Sequence, residues 1–223
     1  MDGFSAWWVP AVFGSYSPGY FCRILARMKN DPWLEKWLDL IQKHADCKRV
    51  LELGCGSGWD TVELVSAGCS VIAADIAGGK LLDCARAAPQ VGILQLNFAH
   101  PLPFSDHSVA VILASLSLHY FSWDKTLQIE SELRRCIQPG GILIARFNSI
   151  HDFHYGVAST EEIEPNFYRV GAWTKRFFDE SSVRKFLQRW DIQFLEENVI
   201  QRYRNPKYVW EVMAVCGETI NRP

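Results

Sequence analysis

The sequence predicts an α/β fold with a doubly wound, mainly parallel sheet in a single domain of 223 residues. Strand-like and helix-like segments alternate between residues 49 and 147, which is typical of parallel strands covered by helices on both faces. The run VAVILA at 109–114 is continuously apolar, as expected of a strand that is buried on both sides. Glycines at alternate positions follow the first strand and mark a turn into a helix. We therefore expect a sheet of about seven strands with a full hydrophobic core.

Residues 1–46 are expected to form an N-terminal helical and aromatic cap. Residues 1–30 are rich in aromatic side chains and are interrupted by glycine and proline. Asp31 and Pro32 have the pattern of a helix N-cap followed by proline at the first helical position. A helix from there to about His44 carries one apolar stripe. The stripe, which we assign to the core, consists of Trp33, Leu34, Trp37, Leu38 and Ile41.

Residues 47–148 are expected to hold the ligand-binding core. Apolar runs predict strands at 49–53, 70–74, about 92–96, 109–114 and 142–147. Helices are predicted between them at 59–67, 79–88 and 123–137. Gly68 and Pro89 are stop signals for the first two helices, and Pro139-Gly140-Gly141 predicts a turn into the last strand.

The C-terminal part is expected to contain a lid and a last helix with two strands. Residues 149–175 show no clear period and are predicted to form a lid loop over the carboxyl ends of the strands. Within residues 176–223, a helix near 180–190 precedes strands at about 192–202 and 207–216. The charged residues of this part are expected to be solvated. They are the acids Glu161, Glu162 and Glu164 and the bases Lys175, Arg176, Arg184, Lys185 and Arg189.

The turn after the first strand is the most informative segment. Gly54, Gly56 and Gly58 lack a Cβ, so that bare backbone can approach a ligand at the N-terminus of the next helix. Their G-x-G-x-G spacing differs from the G-x-G-x-x-G of pyrophosphate sites. Glu52 would repel a pyrophosphate and attract a cationic amino-acid tail. The predicted ligand is S-adenosylmethionine.

An acidic residue ends the second predicted strand. Asp75 lies about 20 residues beyond the first glycine, where a carboxylate can accept hydrogen bonds from both ribose hydroxyls. The alternative is that Asp75 caps the following helix.

Four segments together resemble the class I S-adenosylmethionine-dependent methyltransferases. They are ELGCGSGWDT (52–61), AADI (73–76), LPFSDHSVAVILASLSLHYF (102–121) and IQPGGILIARFN (137–148). The resemblance implies a Rossmann-like fold whose last two strands form an antiparallel pair at one sheet edge. It also implies S-adenosylmethionine as cofactor and S-adenosylhomocysteine as product.

Later segments resemble a small bacterial subgroup of this superfamily. These segments are RFNSIHDFHYG (146–156), EIEPNFYRVG (162–171), KRFFDE (175–180) and RYRNPKYVWE (202–211). Small-molecule methyltransferases of the tellurite-resistance type are similar here. So are azetidine-2-carboxylate synthases, in which the amine of the cofactor attacks its own Cγ and methylthioadenosine leaves.

The glycine turn, the strand ends and the nearby aromatic residues, together with the resemblance, indicate a set of cofactor contacts. They are Tyr16, Glu52, Gly54, Gly56, Gly58, Trp59, Asp75, Ile76, Asn97, Phe98 and Ser115. Ile76 would lie against the adenine. Asn97 stands where the family usually has aspartate, and its amide oxygen can accept a hydrogen bond or form a turn. Ser115 would contact the methionine part through its backbone, whereas Ser117 is expected to face elsewhere.

Three residues are candidates for the chemistry. His119 has a reference pKa near 6.5 and is a candidate general base, or else a structural histidine under the lid. Asn148 follows the fifth strand, where it could orient a nucleophile or form a turn. Tyr20, like Tyr16, could face the sulfonium with its ring or pack in the core.

Composition limits the partners. A formal net charge of −2 gives no strong field for nucleic acid or an anionic membrane. The seven cysteines are scattered, no apolar run approaches 18 residues, and no signal peptide is recognisable, so we expect a cytoplasmic protein. His151 and His154 lack a third ligand at metal-site spacing, and we expect no metal.

Three functions remain open from the sequence. The first is methyl transfer to a small molecule by in-line attack on the sulfonium methyl. The second is cyclisation of the cofactor alone, and the third is nucleoside binding without catalysis. The protein is expected to be a monomer or a homodimer.

Overall fold

The computed structural model describes residues 8–9, 31–46, 49–157, 161–201 and 203–217. Its strands are β1 (Trp8–Val9), β2 (Val50–Leu53), β3 (Val71–Asp75), β4 (Gly92–Gln95), β5 (Val109–Ser115), β6 (Ile137–Asn148), β7 (Glu161–Glu164), β8 (Phe167–Val170), β9 (Trp173–Arg176), β10 (Trp190–Ile200) and β11 (Lys207–Cys216). Its α-helices are α1 (Leu38–Ala45), α2 (Trp59–Ser66), α3 (Gly78–Ala87), α4 (Trp123–Cys136) and α5 (Glu180–Phe186).

The main sheet has the strand order β1-β4-β3-β2-β5-β6-β11-β10. Its five central strands, β4, β3, β2, β5 and β6, are parallel. At one edge β11 and β10 form an antiparallel pair. Strand β11 also pairs antiparallel with β6 and so connects this pair to the parallel strands. The mainly parallel, Rossmann-like sheet with an antiparallel edge is therefore confirmed.

The opposite edge of the sheet carries a strand that the sequence did not reveal. Trp8 and Val9 pair antiparallel with Leu94 and Ile93 of β4. This short strand lies inside the segment predicted as a helical and aromatic cap, and it makes the sheet eight strands wide. Two residues are too few for a period, so no pattern distinguished them from the surrounding aromatic segment.

The strand order reverses between β2 and β5. From β2 the chain continues to β3 and β4 on one side, and β5 and β6 then lie on the other side. Ligands of open parallel sheets bind beyond the carboxyl ends of the strands at such a switch point. The glycine turn follows β2, and the segment 116–122 follows β5.

The sheet separates two hydrophobic cores. One face packs against α1, α2 and α3, and the other against α4 and α5. The core assignment of the N-terminal stripe is confirmed: Trp33, Leu34, Trp37 and Ile41 are buried, and Leu38 is partly buried against the same core. The predicted cap role of Asp31 is wrong: the helical segment begins with a 3₁₀ turn at Glu35–Trp37, and Asp31 pairs with Arg146 instead.

The prediction that residues 149–175 form a loop without regular structure is wrong. Within it, β7, β8 and β9 form an antiparallel sheet of three strands. The strands have four residues each and are joined by two-residue turns, in which Asn166 and Gly171 adopt positive φ. Strands this short give no measurable alternation, so the sequence looked irregular. We call residues 161–176 the lid sheet.

Two further element boundaries differ from the expectation. Strand β6 begins at Ile137, because the residues predicted as a turn continue the strand through a bulge opposite β5. Helix α5 ends at Phe186, four residues earlier than expected, since β10 begins at Trp190. Among the described residues, no helix is both long and apolar enough to cross a membrane.

Candidate functional site

The three glycines after β2 have different structural roles. All three have positive φ, which favours glycine. A Cβ on Gly54 would lie 2.3 Å from the Cβ of Ser117, and one on Gly58 would lie 2.9 Å from the Sγ of Cys84. A Cβ on Gly56 would meet nothing within 4 Å among the described residues. Gly54 and Gly58 therefore allow close packing of the protein against itself, and Gly56 presents the turn to open space.

Asp75, at the end of β3, holds this turn. One carboxylate oxygen accepts the N–H of Gly56 at 2.9 Å, and the other accepts the N–H of Ala77 at 2.9 Å. Each oxygen has a further lone pair, so the carboxylate can still accept hydrogen bonds from a ligand. The next residue, Ile76, is 57% exposed. A carboxylate beside an exposed apolar side chain suits the hydroxyls and the flat base of a nucleoside.

Glu52 is buried in β2, below the turn. The Thr61 hydroxyl donates a hydrogen bond to its carboxylate. Burial raises the pKa of Glu52 well above its ordinary value, and the carboxylate of Asp60 adds to this. A cationic ligand group in the crevice would stabilise the ionised form of Glu52.

The end of β4 supplies a turn and an aromatic side chain. The Asn97 amide oxygen accepts the backbone N–H of Ala99 at 3.0 Å, so it forms the turn that the sequence left as the alternative. Phe98 is partly buried against the core on the α4 side of the sheet. It also lines a surface cavity of about 250 Å³ beside Lys125 and Glu132 of α4. Trp59, the first residue of α2, packs against the other core.

The segment after β5 reverses direction at a strained residue. Leu116 has φ +55°, in the left-handed region that leucine rarely adopts. Ser115 accepts a hydrogen bond from the Arg146 Nε at 2.9 Å. Ser117, which was expected to face elsewhere, lies against Gly54. No sequence signal distinguished these two serines, because only the conformation of Leu116 sets their directions.

Asn148 and Arg146 lie on the same face of β6 and are each 1% exposed. The Arg146 Nη1 forms an ion pair with Asp31 at 2.8 Å, and its guanidinium lies 4.0 Å from the ring centroid of Trp33. The Arg146 Nη2 has no hydrogen-bond partner among the described residues, nor do the Oδ1 and Nδ2 atoms of Asn148. An entire side-chain amide without a partner at this depth is rare in folded proteins.

His119 is buried at the end of the reversed segment. Burial lowers its pKa well below the ordinary value, and the nearby ammonium groups of Lys207 and Lys175 add to this. Its Nδ1 has no hydrogen-bond partner among the described residues. The imidazole is therefore held neutral, so it is a weak base at neutral pH.

The lid sheet joins the ends of β5 and β6. The N–H of Arg176 donates to the carbonyl oxygen of His119 at 2.7 Å. Two residues further on, the N–H of Phe178 donates to the carbonyl oxygen of Asn148 at 2.7 Å. Arg176, expected to be solvated, is buried and forms an ion pair with Glu164. Both residues belong to the lid sheet, where sequence alone placed a solvated lid.

Unpartnered polar atoms concentrate at the carboxyl ends of β5 and β6. The atoms in this crevice are Ser117 Oγ, His119 Nδ1, Arg146 Nη2, Asn148 Oδ1 and Asn148 Nδ2. Buried polar atoms are normally hydrogen-bonded, so a polar ligand or ordered water is expected here. We call these atoms the polar crevice. The candidate residues Tyr16 and Tyr20 lie outside the described residues.

The two histidines of the H-x-x-H pattern do not gather ligands. His151 contacts Glu197 through its Nδ1 at 2.8 Å, which ties the loop to β10. In the part of the chain that the structure describes, no three His, Cys, Asp or Glu residues are grouped to hold a metal ion. The five described cysteines form no disulfide.

Comparison with known proteins supports the assignment of the core. Residues 50–141 match a family model described as a methyltransferase domain. A biotin biosynthesis bifunctional protein of Cellvibrio japonicus is 38% identical over 47% of this chain and 20% of its own length. An uncharacterised methyltransferase of Mycobacterium bovis is 35% identical over 44% of this chain and 39% of its own length. The chain thus matches well under half the length of these relatives.

A solved structure extends the likeness beyond the matched segment. A methyltransferase from Methanosarcina mazei, described as S-adenosylmethionine-dependent, superposes with a TM-score of 0.64 at 20% identity. The superposition covers 76% of this chain and 92% of the other. At this identity the likeness concerns the fold. Together with the family match, it shows a methyltransferase domain at residues 50–141 and the fold of S-adenosylmethionine-dependent methyltransferases.

Proposed function

We propose that the protein transfers the methyl group of S-adenosylmethionine to a small molecule. The observation that carries this proposal is the edge formed by Gly56, Asp75 and Ile76. An open turn, a carboxylate with free lone pairs and an exposed apolar side chain meet there at the switch point of the sheet. The polar crevice lies beyond the neighbouring strands β5 and β6, and it is the place proposed for the acceptor.

The residues of this edge fit the proposed cofactor. Asp75 would accept hydrogen bonds from the ribose hydroxyls, and Ile76 would cover the adenine. Glu52 would become ionised beside the ammonium group of the amino-acid part. The bound cofactor supplies an electrophilic methyl group on a sulfonium. The chain's own task is then to orient an acceptor and to exclude water.

The polar crevice is suited to orientation. Asn148 offers both a donor and an acceptor, and Ser117 lies against the glycine turn. Because both side chains are buried, hydrogen bonds to them would fix an acceptor firmly. Positioning of this kind contributes on the order of 7–11 kcal/mol to catalysis. The segments that match the relatives cover the cofactor core, so the acceptors of those relatives do not indicate the acceptor of this chain.

Calorimetric titration with S-adenosylmethionine and S-adenosylhomocysteine tests the cofactor site. We expect binding to both, and we expect Asp75→Ala to weaken it about 10- to 100-fold, because charge-assisted hydrogen bonds to the ribose and to Gly56 are lost. Asp191→Ala is the matched control, since this exposed aspartate lies on the edge strand β10. Unchanged affinity in Asp75→Ala would remove this residue from the cofactor site.

Product analysis separates methyl transfer from the other two functions. The protein is incubated with the cofactor alone and with added candidate acceptors. S-Adenosylhomocysteine that appears with an acceptor supports the proposal. Methylthioadenosine formed without any acceptor would show cyclisation or lyase activity instead. Binding without turnover across a broad set of acceptors would indicate a nucleoside-binding protein.

A further inference from the structure

Two lysines and one aspartate form a charged cluster beside the polar crevice. Asp152 is fully buried, and its carboxylate forms an ion pair with the Lys207 Nζ at 2.6 Å. The Lys175 Nζ is partly buried as well and donates to the carbonyl oxygen of Tyr155 at 3.4 Å. Within the described residues, Lys175 forms no ion pair within 4.0 Å. Of these three side chains, two carry a positive charge and one carries a negative charge.

The residues outside the described ranges contain few acids. They are Asp2 and Glu218, whereas residues 1–30 alone contain the bases Arg23, Arg27 and Lys29. Partial burial makes an ammonium group less stable when no carboxylate lies close to it, so an anion that binds beside Lys175 would be stabilised.

Lys175 is placed at the crevice by the backbone. The next residue, Arg176, donates its N–H to the carbonyl oxygen of His119. Phe178 donates its N–H to the carbonyl oxygen of Asn148. The strand that carries Lys175 thus crosses the ends of β5 and β6. The positive charge of Lys175 acts on His119 and lowers the pKa of the histidine. The excess charge and the polar crevice are parts of one site.

The described part of the crevice contains no strong base. His119 is kept neutral by burial and by the two ammonium groups, and protonating it would bring a third positive charge to the cluster. A hydroxyl or ammonium acceptor must lose a proton before or during methyl transfer. An acceptor whose attacking atom carries no proton at neutral pH needs no base. A carboxylate meets this condition and also supplies the missing negative charge.

We propose that the acceptor is a carboxylic acid whose carboxylate is held by Lys175 and is itself methylated. This inference rests on the proposed methyl transfer. One carboxylate oxygen forms a bond to the methyl carbon while the bond from that carbon to sulfur breaks. The bonding electron pair goes to sulfur, which leaves a neutral thioether, and the product is a methyl ester. No proton is released or taken up.

The fate of a labelled methyl group tests the bond that is formed. The protein is incubated with methyl-labelled S-adenosylmethionine and a cell extract, and the products are treated with mild base. Methyl esters release the label as volatile methanol, whereas methyl groups on nitrogen, sulfur, carbon or ether oxygen stay bound. We expect volatile label. Base-stable label would overturn the carboxylate inference and leave methyl transfer intact. Absence of any transferred label would count against both.

Variants of Lys175 test its role in holding the acceptor. Lys175→Met should raise the KM for the carboxylic acid about 10- to 100-fold, with a smaller change in kcat, because a charge-assisted hydrogen bond is lost. Lys175→Arg, which keeps the charge, should restore part of the affinity. The Kd for the cofactor should stay within about twofold in both variants.

The matched control is Lys185→Met, which removes an equal charge from an exposed side chain on α5. This variant should behave like the unchanged protein in both measurements. Two results would overturn the role of Lys175. One is an unchanged KM in Lys175→Met, and the other is a large loss of cofactor affinity, which would place Lys175 at the cofactor instead.

Discussion

At the scale of single residues, the Asn148 side chain is unfavourable for stability and suited to binding. Its amide is buried at the end of β6 without a partner for either polar atom among the described residues. Leaving buried polar groups unpaired costs about 1–3 kcal/mol for each. A residue selected for folding alone would be apolar at this position. The amide is therefore best explained by what binds to it.

Replacing Asn148 separates these two roles. Asn148→Leu has a similar volume and removes the unpaired groups, so the free energy of unfolding should stay equal or rise by about 1 kcal/mol. Methyl transfer should fall at least about tenfold, since an orienting hydrogen bond is lost. Thermal unfolding and turnover are measured on the same preparation.

Asn198→Leu is the contrasting variant. The Asn198 Nδ2 donates to Glu211 at 3.2 Å, so this substitution removes a bond that exists and should lower the melting temperature. If Asn148→Leu instead unfolds the protein and Asn198→Leu does not, the Asn148 amide has a structural role.

At the scale of elements, one buried arginine attaches the lid sheet to the start of α4. The Arg176 guanidinium pairs with Glu164 and donates to the carbonyl oxygens of Phe121 and Pro165, both at 3.2 Å. It also lies 5.2 Å from the ring centroid of Trp123. These contacts link β7 and β9 to the start of α4. This side chain thus adds to the backbone hydrogen bonds that hold the lid sheet at the ends of β5 and β6.

Loss of the Arg176 side-chain contacts should make the lid sheet more mobile without unfolding the main sheet. Arg176→Ala leaves the Glu164 carboxylate unpaired and removes two hydrogen bonds, so limited proteolysis should cut within residues 161–176 at a faster rate. Methyl transfer should fall as well, because the segment that carries Lys175 is held by fewer contacts. Mass spectrometry of the fragments locates the cuts.

Arg169→Ala provides the comparison on the same sheet. Arg169 and Glu161 form an exposed pair at 2.7 Å, and such pairs contribute about 0–1 kcal/mol. This variant should be cut no faster than the unchanged protein. Equal cleavage of both variants would contradict the fastening role of Arg176.

At the scale of the whole molecule, folding buries the Glu63 carboxyl group at a cost that depends on pH. Burial raises the pKa of Glu63 in α2 to about 7, and the carboxylates of Asp60, Glu35 and Asp31 add to this while Arg146 opposes it. The folded protein keeps this proton at pH values where the unfolded chain has lost it. The contribution of Glu63 to stability therefore falls as pH rises from about 4.5 to about 7.

Glu63→Gln should remove this dependence. The variant should gain on the order of 1–3 kcal/mol relative to the unchanged protein between pH 5 and pH 8, because glutamine has no proton to lose. Denaturant unfolding at the two pH values measures the difference. Other groups titrate in both proteins and cancel in the comparison.

Glu196→Gln is the control for a lost negative charge, since Glu196 is exposed on β10. Its stability relative to the unchanged protein should not vary between the two pH values. A constant difference for Glu63→Gln as well would show that Glu63 ionises normally in the folded state.

The elements with strong local signals were predictable. Apolar runs located the five parallel strands, and glycine or proline ended α2 and α3 near the expected residues. The lid sheet was missed because its strands have four residues each, too few to show alternation. The strand at Trp8–Val9 was missed for the same reason.

The sequence by itself determined the parallel α/β core, the glycine turn and the acid at the end of β3, because each follows from local chemistry along the chain. Only the tertiary structure decided that Gly56, unlike Gly54 and Gly58, has no neighbour among the described residues where a Cβ would be, and that Ser117 lies against Gly54. It also brought Lys175 from the lid sheet to the ends of β5 and β6. These placements depend on contacts between residues far apart in sequence, and such contacts leave no periodic pattern along the chain.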